Sequence, residues 1–347
     1  RRAPPPARAR AGWNLHFQPM REHGGFEIVA VADPIEARRE EAVTLTGCLA
    51  FPSLEELLLG SDAELIVVAT PSRDHFSDIL QVLRAGRHCL AEKPLALASE
   101  EAELLVRTAR EAGLRLFVHH GHLHRDEFHH LRGVIARGCL GPIFHLRTMW
   151  SGYSRRWDWQ SLKKNGGGQL NNTCPHTLSI VLPLLGSPVT EVYADLRNIK
   201  DAGDAEDHVH LALRTAGGAT ADVVVSSAIA LGGPKWVLCG KYGTLISDGQ
   251  KSTLKYYAPA EVLALEVADG AAPNRQYLRE SLPWQTEEIA VEPAEVPSFH
   301  ANVHDVLLGR AEPLVTPESA ADVVRVTALC HAAARPAAEA EILTSCA

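Results

Sequence analysis

The chain lacks any run of the roughly 18 to 20 apolar residues that a membrane-spanning helix requires. It also lacks a C-x-x-C pair. Its seven cysteines (Cys48, Cys89, Cys139, Cys174, Cys239, Cys330 and Cys346) are scattered and odd in number, which excludes a disulfide scaffold and suits a reducing compartment. There is no surplus of positive charge: 34 Lys and Arg stand against 42 Asp and Glu, a net charge of −8, which excludes a dedicated nucleic-acid binder. The amino terminus from Arg1 to Arg10 is basic, but no continuous apolar stretch follows it, and export signals need one. These absences predict a cytoplasmic protein without a membrane or nucleic-acid partner. Internal repeats are absent too.

What is present is an ordinary globular composition, 46% hydrophobic and 22% charged over 347 residues. At about 150 residues per domain, this length predicts two domains with sizeable cores. Strand-like runs at residues 26–33, 64–70, 88–91 and 114–119 alternate with helical segments at 35–47, 75–85 and 99–113. Ser53 and Glu56 form a capping box at the start of a further helix. Such strand–helix repeats predict a parallel sheet covered by helices on both faces. Past residue 142 the strands come close together, at 143–149, 190–198, 208–214, 220–226, 235–238, 244–247 and 253–257, with Gly217-Gly218 as a hairpin turn. Helices at 299–308 and 317–333 close the chain. The domains are read as 1–121, with 1–12 disordered or aberrant, and 122–347.

A dinucleotide-binding βαβ unit ends its second strand in an acidic residue, about 20 residues beyond a G-x-G-x-x-G loop. Asp33 suits that role, with a carboxylate for the ribose hydroxyls. Pro34 follows it, and no basic residue is placed to hold a 2′-phosphate, so NAD is favoured and NADP remains possible. The glycine loop itself is missing, because the nearby glycine, Gly12, precedes Trp13 and Asn14. Three readings fit this gap: a chain that starts late or carries a misread terminus, a diverged loop, or lost cofactor binding.

Other segments carry chemistry. Ala69-Thr70-Pro71, with His75 in the following helix, ends a buried strand where open α/β sheets bind ligands. Glu92-Lys93-Pro94 ends the next strand, and Pro94 keeps Lys93 out of helical geometry. In Gly166-Gly167-Gly168-Gln169-Leu170-Asn171-Asn172-Thr173-Cys174-Pro175-His176, residues 172 and 176 share a face if the stretch is helical, so the Asn172 amide is placed to orient His176 as a general base.

In order and spacing these segments, with the Ala32-Asp33-Pro34 turn and Glu312-Pro313-Leu314-Val315-Thr316-Pro317-Glu318, resemble the Gfo/Idh/MocA family of NAD(P)-dependent oxidoreductases, from about residue 26 to 333. The resemblance implies a Rossmann domain followed by an α/β domain whose large, open, mainly antiparallel sheet mediates oligomerisation as a dimer or tetramer. It implies hydride transfer between nicotinamide and a secondary alcohol or ketone of a sugar, sugar derivative or cyclitol. Lys93, Asn172 and His176 would be catalytic. Asp33, Ala69, Thr70, Pro71, His75, Glu92, Lys93, Pro94 and His120 would hold the cofactor, and Trp159, Lys163, Asn172 and His176 the substrate. Asn172 stands where polyol dehydrogenases of the family often carry aspartate, which removes a Lys–Asp–His relay. Gly121-His122-Leu123-His124 replaces a common Asn-x-Arg element.

The histidines at 119, 120, 122, 124, 129 and 130 run from a strand end through a turn into a helix and point in several directions, so no metal site is expected there. At least one of Trp157 and Trp159 is expected to be buried by packing. Two further readings remain: a non-catalytic relative without a working cofactor site, and a hydrolase or lyase that uses bound NAD transiently.

Overall fold

The computed structural model describes residues 10–200, 203–267, 270 and 279–334. The first domain carries a two-stranded sheet, β1 (Ala30–Ala32) and β2 (Leu49–Phe51), and a three-stranded one, β3 (Leu65–Val68), β4 (His88–Ala91) and β5 (Leu116–Val118). β1 pairs with β2, and β3–β4–β5 form a second hydrogen-bonded group, all parallel. In the doubly wound order 3-2-1-4-5-6 a two-stranded and a three-stranded parallel group flank the first strand, and the two groups here have those sizes. Crossover helices His75–Arg84 and Ser99–Glu111 bury Ile79, Val82 and Leu105 against Ile66, Val68 and Cys89. β3 and β4 are apolar at nearly every position because both faces are covered.

A helical stretch with wide turns, Arg10–Phe17, runs into Gln18–His23 and stops at Gly24, whose φ is +72°. This corrects the expectation of disorder through residue 12; residues 1–9 lie outside the described residues. Trp13, Phe17 and Met20 recur at helical spacing, and Trp13 stacks on Phe17 with centroids 4.4 Å apart. That short period is easily hidden behind the Arg-Pro-Ala tract that precedes it. The helix lies at the end of β3, since a Cβ on Gly12 would meet the Cβ of Ala69 at 3.4 Å.

The sheet of the second domain has eight strands: β6 (Ile143–Ser151), β7 (Val189–Arg197), β8 (His208–Thr215), β9 (Thr220–Ser226), β10 (Trp236–Gly240), β11 (Gly243–Ser247), β12 (Lys251–Tyr256) and β13 (Gln285–Ala290). Their order is β13-β12-β11-β10-β6-β9-β8-β7, antiparallel except for the β6–β9 pair. Leu146, Val209, Leu211, Val223 and Leu238 point to a core shared with the helices Asp126–Ala136 and Cys174–Leu185. Phe144, Tyr193 and Ile246 are exposed. β13, read as Gln-Thr-Glu-Glu-Ile-Ala, escaped the sequence reading because an edge strand with both faces wet carries little apolar alternation.

The two closing helices return to the first domain. Phe299–Leu307 places Phe299, Val303 and Val306 on Leu90 and Phe117. Pro317–Ala333 gives Ala320 and Val324 to the first core and Val323, Val326 and Cys330 to the second. One helix therefore belongs to both cores and fixes the junction where the site lies.

Candidate functional site

The strand ends of β3 and β4 form a braced edge. His75, 1% exposed, sets its ring nitrogens 2.6 Å from the Pro94 carbonyl and 2.9 Å from the Thr70 carbonyl. A neutral ring donates to one of these carbonyls, so His75 ties the turns that carry Thr70 and Pro94. The Thr70 hydroxyl donates to Asp78 at 2.7 Å.

Lys93 follows β4 and crosses to the second domain. Its ammonium donates to the Asn172 carbonyl at 2.6 Å and to the Asn172 side-chain oxygen at 3.2 Å. The Asn172 amide nitrogen in turn donates to Gln160 Oε1 at 2.7 Å. The glycine run makes this placement possible. A Cβ on Gly167 would sit 2.3 Å from the Gln160 carbonyl oxygen, and Gly168 has φ +102° with Glu206 where its Cβ would be. Glu206 accepts the Leu170 N–H at 2.9 Å, closing the start of the short helix Gln169–Asn172.

His176 does not lean on Asn172 as expected. Pro175 starts a second helix, Cys174–Leu185, so residues 172 and 176 sit in different helices, and Asn172 serves Lys93 instead. His176 packs edge-on against His122, centroids 4.6 Å apart, and His122 packs edge-on against Trp150 at 5.0 Å. The Nδ1 atoms of His120, His122 and His176 and the indole nitrogen of Trp150 are buried with no hydrogen-bond partner among the described residues. Buried polar atoms are nearly always paired, and of these rings His120 and His176 lie close enough to Lys93 to feel its charge.

Electrostatics follow from this packing. Burial, then the charges of Lys93, His122 and His120, push His176 well below the ordinary histidine value, against an opposing pull from Glu92. Burial and the nearby Arg125 and Lys235 push His122 down to about 3. Burial and Arg156 lower Lys93 while Glu92 opposes them. A cavity of about 600 Å³ opens beside this group, lined in part by Trp150, Gln169, Thr173, Ser226 and Lys235. Lys235 lies over the Trp150 ring at 4.9 Å and pairs with Glu127 at 2.6 Å.

The remaining expected residues fall as follows. Asp33 stands at the end of β1, where its carboxylate accepts the Ile35 N–H at 2.8 Å and meets Arg38 at 3.3 Å. Arg39 donates to the Asp33 carbonyl at 2.7 Å. The expectation of no basic group there is corrected, because the first helical turns after Pro34 swing both arginines back to Asp33. Glu92 is buried, its carboxylate turned toward histidines. Trp157 and Trp159 are 77% and 37% exposed, so neither is buried by packing as expected; the segment carrying them runs along the surface. Lys163 is exposed near Glu206, and Gly166 ends its turn. His16, Gln160 and His300 carry no motif in the sequence. The helical period around Phe17 is the available signal for His16; His300 has none, since it meets His16 284 positions away.

A family model described as "Oxidoreductase family, NAD-binding Rossmann fold" matches residues 11–120, and one described as "GFO/IDH/MocA C-terminal domain" matches 128–246. Together they define the class: an NAD-binding oxidoreductase fold with a second α/β domain across its strand ends. The chain belongs to the Gfo/Idh/MocA family. It is 28% identical over 207 residues to a Bacillus subtilis scyllo-inositol 2-dehydrogenase (NADP(+)), IolW, covering 58% of this chain and 57% of that protein. It is 25% identical over 240 residues to an Escherichia coli 2,7-anhydro-N-acetylneuraminate hydratase, covering 67% and 64%. The matched stretch is thus less than two thirds of either relative's length. The solved structure of the WlbA dehydrogenase from Bordetella pertussis, in complex with NADH and UDP-GlcNAcA, shares the fold with a TM-score of 0.74 at 24% identity over 93% of both chains. No helix among the described residues is long and apolar enough to cross a membrane.

Proposed function

We propose that this chain is a nicotinamide-dependent dehydrogenase acting on a secondary alcohol of a sugar, sugar derivative or cyclitol. The observation that carries the reading is Lys93, tied by its ammonium to Asn172 across the domain junction, beside a His176 imidazole without a partner at Nδ1. The named activity of IolW, a cyclitol dehydrogenase, supports the substrate class.

The residues present fit a dinucleotide along the strand ends. The start of the first helix lies beside Ala69 at the end of β3, since a Cβ on Gly12 would meet the Ala69 Cβ at 3.4 Å, and a helix start at a strand end can receive a pyrophosphate. Asp33 offers a carboxylate for ribose hydroxyls, and Arg38 and Arg39 beside it offer guanidinium groups for a 2′-phosphate, so NAD and NADP both have a partner. Ala69, Thr70, Pro71, Pro94, Lys93 and His120 would line the nicotinamide end. Bound nicotinamide supplies a hydride acceptor for the carbinol carbon.

The chain's own residues do the rest. His176, held neutral, accepts the proton of the reacting hydroxyl. Lys93, oriented by Asn172, donates a hydrogen bond to that oxygen and favours the carbonyl as it forms. His122 and Trp150 wall the ligand, and Trp159 and Lys163 reach it from the exposed segment. The open face of the second domain's sheet would join copies into a dimer or tetramer in the cytoplasm. Formation of reduced nicotinamide with a panel of inositols and aldoses tests the reading. Turnover by the wild-type protein, lost in Lys93→Ala, is expected; no turnover with either NAD or NADP contradicts it.

A further inference from the structure

On the other side of Glu92, which borders the Lys93–His176 group and accepts the Lys93 N–H at 3.2 Å, two histidines from separate segments meet its carboxylate and a third backs one of them. His16 Nε2 lies 2.9 Å from Glu92 Oε1, and His119 Nδ1 lies 2.8 Å from the same oxygen. On the far side of the His16 ring, Nδ1 lies 3.1 Å from His300 Nε2. His16, Glu92 and His300 are 1%, 5% and 7% exposed, while the His119 side chain is 15% exposed. One donor atom each from His16, Glu92 and His119 lies within 4.8 Å of the others. We propose that His16, Glu92 and His119 form a binding site for a divalent first-row transition ion, with His300 orienting His16 from behind.

The chemistry of the donor set decides the class of ion. Two imidazoles and one carboxylate suit zinc and its neighbours and do not suit calcium or magnesium, which take oxygen ligands. The outer contact has the form expected of a ligating histidine, whose second ring nitrogen donates to a neighbouring acceptor. In the ion-bound form the His16 proton sits on Nδ1 and goes to His300 Nε2, while the His119 proton sits on Nε2. Each imidazole only changes tautomer, so no proton is gained or lost, and the Glu92 anion offsets part of the ion's charge. Opening the two short contacts by a few tenths of an ångström gives both nitrogens and the oxygen room around one ion. The site ties the helix at residues 10–17 to the ends of β4 and β5 and to the helix Phe299–Leu307, so its role is a staple for the amino-terminal helix. None of this depends on the proposed dehydrogenase activity.

The full chain, stripped with a chelator and titrated with Zn²⁺ against a chromophoric competitor, tests the proposal, with Co²⁺ visible absorption as a second readout. One tight equivalent of Zn²⁺, low-symmetry Co²⁺ bands of nitrogen and oxygen ligation, and a melting temperature raised by Zn²⁺ are expected. His119→Gln and Glu92→Gln should abolish that equivalent, and His300→Phe should weaken it about 10- to 100-fold. Circular dichroism reports whether the variants fold; if they do not, the wild-type cobalt spectrum decides alone. Hydrated-ion cobalt bands, or the same zinc affinity in folded His119→Gln, would mean a hydrogen-bonded cluster or adventitious binding elsewhere, and would overturn the proposal.

Discussion

In the proposed mechanism Lys93 and His176 carry the chemistry, and their replacement separates catalysis from binding. Lys93→Ala is expected to lower kcat/KM by about 10²- to 10⁴-fold, the scale of a lost positioned acid–base or charge-stabilising group. His176→Ala should cost about 10²-fold or more with little change in dinucleotide affinity, checked by steady-state kinetics beside calorimetry. A pH profile tests the electrostatics. Burial and the charges of Lys93, His122 and His120 lower the pKa of His176, so its imidazole stays an unprotonated base well into acid. The acid limb of kcat/KM for alcohol oxidation should therefore fall below the ordinary histidine value of 6.5; a limb at or above it contradicts this assignment. Lys93 and His176 are legible as candidates because each stands at an abrupt polar break after an apolar run or glycine turn. The Asn172–Lys93 bond was not, since a proline that ends one helix and begins the next moved the amide to another partner. His16 and His300 meet 284 positions apart, and no local pattern encodes such a contact.

At the scale of elements, local sequence rules set most boundaries. β4, β9 and the last helix fall where the apolar runs and the Thr316-Pro317 start place them, because burial and capping agree there. Ser53 accepts the Glu56 N–H at 3.2 Å, so Ser53→Ala should cost about 1 kcal/mol in urea unfolding. Gly168 is more demanding. With φ +102° and Glu206 occupying the Cβ position, Gly168→Ala should destabilise by about 2 to 4 kcal/mol and shift Asn172, seen as a lower urea midpoint together with reduced turnover. The polar edge strand β13 and the wide-turned first helix were illegible for opposite reasons. The strand buries too little for alternation to show, and the helix buries one face behind a tract that reads as unstructured.

The whole molecule is held together by a helix that serves two cores, and its site is built from both. Titration of the junction gives a global signature. His122 is pushed down to about 3 chiefly by burial, then by Arg125, Lys235, His119 and His120, whereas an unfolded histidine titrates near 6.5. The unfolded chain binds that proton first, so this contribution to stability is complete above about pH 6.5 and is lost as pH falls toward 3. Urea midpoints at neutral and mildly acidic pH should differ more in the wild type than in His122→Phe. The parallel-then-antiparallel architecture was legible from the change in strand spacing near residue 142, while the return of the closing helices to the first domain was not, because adjacency in the chain gives no hint of it. The central claim is that an amine and an imidazole from two domains act together on a polyol beside a nicotinamide. It is tested most directly by following reduced-nicotinamide absorbance with inositols, in wild type and Lys93→Ala, at saturating NAD or NADP. The account predicts turnover that disappears in the variant while the dinucleotide still binds within a few-fold of wild type. Equal turnover in both proteins, or no dinucleotide binding by the wild type, would contradict it.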